Sequence, residues 1–563
     1  MKVIIVGGVA GGATAAARIR RLNEHAEITV FERSGYISYA NCGLPYYIGD
    51  VITDPEELTL QTPESFFKRF RINMKIHHEV ISIHPDRKTV SVKNLENGEI
   101  FEENYDKLIL SPGAKPTQPR LPGVGIDKLF TFRTVEDTFR IKEYINKNHP
   151  KSAVLAGGGF IGLELAENLR ELGMDVTIVQ RPKQLMNPFD PDMASMIHNE
   201  MRKHGIKLVL GYTVEGFKEK DNGVEVLLKD NPSLQADMVV LAIGVTPDTV
   251  LAKEAGLELG IKESIVVNDR METSVPDIYA AGDAVQVKHY VTGNDALISL
   301  AGPANKHGRI IADNICGGDS RYLGSQGSSV IKVFDMTAAT TGINETNAKK
   351  SGLEVDTVIL SPMSHAGYYP GGKVMTMKVV FEKETYRLLG AQIIGYEGVD
   401  KRIDVLATVI HAGLKATQLK DLDLAYAPPY SSAKDPVNMA GFMIDNIAKG
   451  TLKQWHLEDM DKISRDKSVV LLDVRTVGEF NRGHMDGFKN IPVDELRERI
   501  NEIEKGKPVY LICQSGLRSY IASRILEGNG YETYNFSGGF RFYDAVVNDR
   551  ALIEKAYACG MDY

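Results

Sequence analysis

The chain has 563 residues, of which 43% are hydrophobic and 25% charged, the balance of an ordinary globular protein, and its length exceeds what one hydrophobic core organises, so three or four domains are expected. A formal net charge of −8 gives no general reason to expect nucleic-acid binding, and no apolar run approaches the roughly 20 residues that span a bilayer. The cysteines, Cys42, Cys316, Cys513 and Cys559, stand far apart with no CxxC pair. That spacing suggests neither a zinc site, so no metal is expected, nor a disulfide framework, and it leaves any thiol chemistry to single cysteines made reactive by their surroundings.

The opening MKVIIVGGVAGG lacks a basic leader and a cleavage site and runs straight into a glycine-rich turn. It reads as a buried first strand rather than a signal peptide, which predicts a cytoplasmic protein. After residues 1–6 come Gly7-Gly8-Val9-Ala10-Gly11-Gly12, a helical run ATAAARIRRL and a second strand, EITVFE, ending in Glu32. This is the layout of a dinucleotide-binding half: glycines admit a pyrophosphate, the helix N-terminus favours its charge, and Glu32 is placed to accept ribose hydroxyls. Val9 stands where the strict fingerprint has its second glycine. The pattern recurs as strand SAVLA, Gly157-Gly158-Gly159-Phe160-Ile161-Gly162, helix LELAENLREL and strand DVTIVQ. Two such units in strand–turn–helix context predict two nucleotide-binding domains, where one glycine motif alone would be weak evidence.

From about residue 325, runs such as VIKVFDMTAATTGI and MTMKVVFEKETYRLLGAQIIG alternate apolar and polar residues, predicting an antiparallel sheet with one solvated face, followed by a helix around DVLATVIHAG. A polar stretch, IAKGTLKQWHLEDMDKI, then leads to a fresh α/β pattern opening on VVLLDV, with the boundary near residue 450.

The segment TSVPDIYAAGDAV puts Asp283 beside a glycine turn at a strand end. Together with Gly7–Gly12, Glu32 and the turn LILSPGAKP, it resembles the flavoprotein disulfide reductase family over roughly residues 1–445. The resemblance implies two Rossmann-like domains, an FAD domain over 1–112 and 250–322 and an NAD(P)H domain over 113–249, then an α+β dimerisation domain over 323–448 in a homodimer. FAD would take Gly7, Gly8, Ala10, Gly11, Gly12, Glu32, Arg33, Ala304 and Asp283, the last on the ribityl chain. The nicotinamide nucleotide would take Gly157, Gly159, Gly162 and Gln180. Gln180, followed by Arg181 and Lys183, replaces the usual acid and leaves both NADH and NADPH open.

Cys42 lies in SYANCGLPYY, where most relatives carry CxxxxC; the second position here is Tyr47. With one cysteine, an oxidising equivalent is stored as a mixed disulfide, a persulfide or a sulfenic acid. Peroxidases of the family place a histidine in the first glycine loop, and this chain has Ala10 there. SYANCGLPYY, GGVAGG, HAGYYPGG with Tyr368, and LAYAPPYSSAKDPVNMAG with Tyr426 and Lys434 are similar to the coenzyme A disulfide or persulfide reductases. That similarity implies that Tyr368 and Tyr426 reach the partner subunit's cysteine. Arg18, Arg21, Arg69 or Arg71, and Lys434 become candidates for the phosphates of coenzyme A, and Thr14, Ser38 and Asn41 for further substrate contacts.

VVLLDVRTVGEFNRGHMDGFKNIP, with Asp473, Arg475, Glu479 and His484, resembles the opening of a rhodanese domain, taken over 455–555. VYLICQSGLRSYIAS then gives a strand, Cys513, a tight loop and a helix, with N–H groups that can hold an anionic sulfur and Arg518 at the loop's end. The C-x4-R spacing suits a sulfur-sized loop, whereas tyrosine phosphatases use C-x5-R. Cys316 in DNICGGD reads as structural, and Cys559 has no motif. The expected activity is FAD-dependent reduction of coenzyme A persulfide, polysulfide or coenzyme A disulfide by NAD(P)H, through Cys42, with Cys513 carrying sulfane sulfur. The alternatives are an NADH oxidase or peroxidase, and a redox-sensing sulfur-relay protein.

Overall fold

A computed structural model describes residues 1–117, 119–220 and 223–558, the side chains of 556–558 excepted; Cys559 lies outside the described residues. The chain forms two compact units, residues 1–182 with 205–327, and residues 183–204 with the chain from 328 onward.

The first unit holds two five-stranded parallel sheets. One runs in the order Ile278–Ala280, Lys107–Leu110, Lys2–Val6, Glu27–Phe31, Asn73–Lys75, and the other in the order Lys207–Leu210, Asp175–Gln180, Ser152–Ala156, Met238–Leu241, Leu129–Thr131. Their central strands are apolar and buried after a polar first residue, Lys2 or Ser152, as strands covered on both faces must be. Each first strand feeds a glycine turn and a helix, Ala10–Leu22 or Phe160–Glu171, at the carboxyl edge of its sheet, where open α/β sheets bind ligands. Antiparallel three-stranded sheets, led by His78–His84 and Val214–Lys220, are added to this frame.

In the second unit, strands Ser329–Val333, Met336–Gly342, Leu388–Gly395, Met375–Glu382 and Val355–Leu360 form an antiparallel sheet. The expected solvated face is confined to the edge strand Ser329–Val333, where Val330 and Lys332 are exposed; Leu388–Gly395 is buried along its whole length and Met375–Glu382 at all but its last residue. The polar residues that looked solvent-facing are paired inside instead. Lys378 Nζ lies 2.8 Å from carboxylates of both Asp192 and Glu345 and 3.2 Å from Asp190. Gln392 exchanges two hydrogen bonds with Asp190, at 2.6 and 2.7 Å. Asp190 and Asp192 lie far away in sequence, at the start of helix Pro191–Lys203, and Glu345 opens helix Glu345–Lys350, so local alternation cannot distinguish these partners from water.

The last sheet is parallel, in the order Gln454–Trp455, Thr533–Phe536, Val509–Ile512, Val470–Asp473, Lys489–Asn490. Its first strand precedes the VVLLDV segment with which the sequence pattern began. Gln454 also donates to the Thr357 carbonyl at 2.7 Å, and Ile359 N–H donates to Ser537 Oγ at 3.0 Å, so this sheet is fastened to the preceding one. No described helix is long and apolar enough to cross a membrane.

Candidate active site

The two nucleotide turns are built alike. Gly7 has φ +95, and a Cβ there would lie 2.1 Å from the Ser111 carbonyl oxygen; a Cβ on Gly12 would lie 1.9 Å from the Gly7 carbonyl. Gly157 and Gly162 repeat this, at 2.2 Å from the Ala242 carbonyl and 2.1 Å from the Gly157 carbonyl. Only glycine allows the strand, turn and helix to approach so closely. Neither following helix carries a side-chain cap, so its first N–H groups are left for a ligand, and the space beside Gly159 is open. Uncapped helix starts behind glycine turns fit the pyrophosphates of FAD and of a nicotinamide nucleotide. Glu32 Oε2 accepts from Gly8 N–H at 2.9 Å, and Gln180 Oε1 accepts from Gly158 N–H at 3.1 Å, so the two residues perform the same local task. Helix Ala301–Ile315 buries Ala304 and packs close on helix Ala10–Leu22. Ala10 and Gly11 open that helix, while Arg33 sits half exposed on Asp248 at 2.9 Å.

Asp283 follows strand Ile278–Ala280 in a short turn, with Oδ2 held by Arg133 Nη2 at 2.7 Å. The turn is fixed from beneath: Gly282 N–H donates to His307 Nδ1 at 3.2 Å, and burial pushes that imidazole down to about 3, keeping it neutral and able to accept. Arg133 and His307 carry no sequence motif and were not among the predicted site residues.

Cys42 occupies the turn Asn41–Gly43, ahead of helix Leu44–Ile48. Ser38, at φ 45, donates its N–H to the Gly8 carbonyl at 2.9 Å and so ties the cysteine loop to the first glycine turn. Tyr47, where a second cysteine would stand, packs edge-on against Phe139 at 5.7 Å between ring centroids. Cys42 is open to solvent on one side, yet burial by the surrounding protein is the leading cause that raises its thiol pKa. Glu164 and Asp283 raise it further, and Arg133 opposes them.

Glu164, also unpredicted, is itself pushed up to about 7, by burial first and by Glu167 second. Glu164→Gln is therefore expected to speed alkylation of Cys42 by iodoacetamide roughly threefold at alkaline pH, because a neutral amide no longer penalises the thiolate. Below about pH 7 the wild-type carboxyl is itself neutral, so the two rates should converge there. Parallel profiles that never converge would remove Glu164 from the electrostatics of Cys42.

Among the predicted substrate contacts in this unit, Thr14 Oγ1 donates to Asn305 Oδ1 at 2.6 Å, and Arg18 is engaged by Asp313 at 2.8 Å. Arg21, Arg69 and Arg71 are exposed. Arg71 lies over the Phe67 ring at 5.3 Å.

In the second unit, the hydroxyls of Tyr368 and Tyr426 stand 2.7 Å apart, and both residues are exposed, Tyr368 by 76%. What brings these distant loops together is Arg402, which the sequence did not single out. Fully buried, it donates to the Ser364 carbonyl, the Tyr430 carbonyl, Ser431 Oγ and Asp435 Oδ2 at 3.0–3.3 Å. Ala366 N–H adds a bond to the Ser431 carbonyl at 2.9 Å. Lys434 is exposed on the same loop as Tyr426.

Cys513 ends strand Val509–Ile512, and helix Leu517–Glu527 follows. Gly516, at φ +99, points its N–H at Cys513 Sγ at 3.1 Å, and the buried Ser519 hydroxyl donates to the same sulfur at 3.2 Å. Arg518 forms a bidentate pair with Glu479, both contacts at 2.7 Å. Arg475 is chelated by Asp473 and lies 3.9 Å from the Phe540 ring centroid. His484 stacks on Phe480, away from the sulfur's hydrogen bonds. Cys316 closes helix Ala301–Ile315 and packs against the first unit's core. Among the described residues no group of three or more His, Cys, Asp or Glu could hold a metal ion.

Residues 1–308 match the family model for pyridine nucleotide-disulphide oxidoreductases, 328–436 the model for their dimerisation domain, and 456–545 that for a rhodanese-like domain. Coenzyme A disulfide reductase of Staphylococcus aureus is 37% identical over 442 residues, which are 78% of this chain and 99% of the relative. The structure of reduced Bacillus anthracis CoADR-RHD superposes with a TM-score of 0.95 at 48% identity, covering 98% of both chains. The NAD-dependent persulfide reductase from A. fulgidus gives 0.90 at 38% identity over 96% of this chain and 100% of its own.

Proposed function

Because the chain belongs to the pyridine nucleotide-disulphide oxidoreductase family, we propose that it is an FAD-dependent reductase of coenzyme A persulfide, polysulfide and coenzyme A disulfide, driven by NADH or NADPH in the cytoplasm. The observation that carries this reading is a lone cysteine in the flavin-side turn, with Tyr47 packed on Phe139 where a resolving cysteine would be, in a chain that also cradles Cys513 sulfur. FAD, held by Gly7–Gly12, Glu32 and Asp283, supplies the passage of two electrons from the nicotinamide nucleotide at Gly157–Gly162 to sulfur bound on Cys42.

The protein's own part is sulfur chemistry. Cys42 thiolate attacks the sulfane sulfur of coenzyme A persulfide, the S–S bond of the substrate breaks, and the coenzyme A thiolate departs with a proton from the tyrosine pair. Two electrons then split the Cys42 persulfide, releasing hydrosulfide and restoring the thiolate. With coenzyme A disulfide the same attack leaves a Cys42–coenzyme A mixed disulfide, and the second product is another coenzyme A thiol. Arg133 offsets part of the rise that burial, Glu164 and Asp283 impose on the Cys42 thiol. We assign Arg21 with Arg69 or Arg71 to the coenzyme A phosphates; Arg18 serves less directly, since Asp313 already neutralises it. The chain works as a homodimer in which Tyr368, Tyr426 and Lys434 serve the Cys42 of a second copy, and Cys513 holds sulfane sulfur for the reductase.

Steady-state rates with coenzyme A persulfide, coenzyme A disulfide, polysulfide and hydrogen peroxide, measured side by side, test the reading. Persulfide or coenzyme A disulfide should exceed peroxide by at least about a hundredfold in kcat/KM; peroxide turnover equal to either would make the protein an oxidant-scavenging flavoenzyme instead. In the same assays Cys513→Ser should keep NADH-driven reduction of soluble coenzyme A persulfide within about twofold of wild type, since hydride transfer needs only nicotinamide, FAD and Cys42. Loss of every sulfur reduction, with flavin content unchanged, would require obligatory transfer between the two cysteines.

A further inference from the structure

We infer that the Cys513 loop selects organic persulfides, whose reacting end carries a single negative charge, over donors with a dianionic reacting end such as thiosulfate, and that Glu479 sets this preference by occupying Arg518. The inference rests on the reading that Cys513 carries sulfane sulfur, and it names the donor class for that site.

A loop that welcomes a dianion offers it uncompensated positive charge, as bidentate guanidiniums do for phosphate and sulfate. Here the guanidiniums of Arg518 and Arg475 are both spent on carboxylates. Arg518 gives Nη1 and Nη2 to the two oxygens of Glu479, at 2.7 Å each. Glu479 is in turn anchored by Thr476, whose N–H and hydroxyl donate to it at 3.0 and 2.8 Å. With Arg518 as the first cause, the Glu479 carboxyl is lowered to about 2, so it stays ionised, and the pair intact, at any physiological pH. Arg475 is fully buried and directs Nε and Nη2 to Asp473, with Nη2 also on the Gly483 carbonyl at 2.8 Å.

The groups that do reach Cys513 Sγ are neutral donors, the Gly516 N–H and the Ser519 hydroxyl. The surface beside the loop is apolar: Leu517, Ile521 and Val477 are 66%, 42% and 53% exposed. Neutral donors suffice for one negative charge on a terminal sulfur, and apolar neighbours suit the carbon arm of a thiol carrier. Neither suits the sulfonate end of thiosulfate, which must approach the Glu479 carboxylate. The transfer is balanced without an external oxidant. Cys513 thiolate attacks the sulfane sulfur of R–S–S⁻, the new S–S bond forms as the old one breaks, and R–S⁻ leaves, giving Cys513–S–S⁻.

The test uses the full-length holoenzyme. Sulfur transfer to cyanide is measured with thiosulfate, coenzyme A persulfide and cysteine persulfide in the wild type, in Glu479→Gln and in Cys513→Ser, whose rate supplies the uncatalysed background. Both persulfides should exceed thiosulfate by at least about tenfold in wild-type kcat/KM, the better one identifying the carrier arm. Glu479→Gln retains a residue that can still cap helix Val477–Arg482. It should raise thiosulfate kcat/KM about tenfold and change the persulfide values less than threefold, with NADH-driven reductase activity unaltered. Peptide mapping of Cys513 after iodoacetate or iodoacetamide treatment gives a second readout that needs no turnover: the ratio of anionic to neutral alkylation should rise in Glu479→Gln. Wild-type use of thiosulfate equal to persulfide, or an unchanged alkylation ratio in the variant, overturns the inference. Equal transfer in Cys513→Ser and wild type with every donor would instead overturn the reading of Cys513 as the sulfur carrier.

Discussion

Cys42→Ser is expected to lower NAD(P)H-driven reduction of every sulfur substrate by at least about a thousandfold, while FAD remains bound and NADH still bleaches it at the wild-type rate. A serine hydroxyl is almost fully protonated at neutral pH and forms no reducible bond to sulfur, so the covalent intermediate is lost rather than slowed. Nothing that binds FAD is touched. The contacts assigned to the flavin come from the turn at Gly7–Gly12, from Glu32 and from the Asp283 turn, each fixed by backbone hydrogen bonds or by Arg133 and His307. Nor can the other described cysteines substitute. Cys316 closes a helix and is packed on the core, and Cys513 belongs to the second compact unit with its own loop. Stopped-flow reduction of the variant by NADH, followed by mixing with coenzyme A persulfide, separates the two half-reactions. Rapid reoxidation of the flavin by persulfide in Cys42→Ser would show that sulfur is reduced without a protein thiol, and the covalent route would fall.

How much of this was legible in the sequence follows from how local each feature is. The glycine turns, Cys42 and the Cys513 loop are contiguous segments whose residue types answer to one backbone geometry, so their chemistry is written in order along the chain. Asp283 was readable for the same reason, as the acid after a strand and a glycine. The groups that tune those sites are not local. Arg133 meets Asp283, which lies 150 positions further along the chain, and His307 reaches Gly282 from a separate helix. Glu164 sits in what reads as an ordinary amphipathic helix, and no sequence period reports that burial holds its carboxyl near 7. Arg402 and Lys378 are the sharper lesson: alternation placed Lys378 on a solvated face, nothing marked Arg402, and the fold buries both against carboxylates. Arg518 was legible as a cation at the end of the loop, but its neutralisation by Glu479 was not, although both residues were singled out separately.

Tyr368→Phe and Tyr426→Phe together are expected to lower persulfide turnover by about fiftyfold, with flavin reduction by NADH unchanged. The two hydroxyls form one hydrogen-bonded unit at 2.7 Å in which either oxygen can donate, and the bond to Tyr368 is the first cause that raises the Tyr426 pKa. One hydroxyl spends its proton on the other's oxygen, and the second keeps a hydrogen free to give to the departing coenzyme A sulfur. Either single change should cost about tenfold, since it removes the transferable proton or the group that would steady the remaining oxygen as that proton leaves. Because one residue acts through the other, the double variant should fall short of the product of the two factors. Both side chains are exposed, and Arg402 holds their loops from within, so loss of either hydroxyl opens no cavity and the thermal midpoint should stay put. Turnover equal to wild type in the double variant would return the pair to surface packing. A double-variant loss equal to the product of the single losses would mean that the two hydroxyls act on different atoms of the substrate.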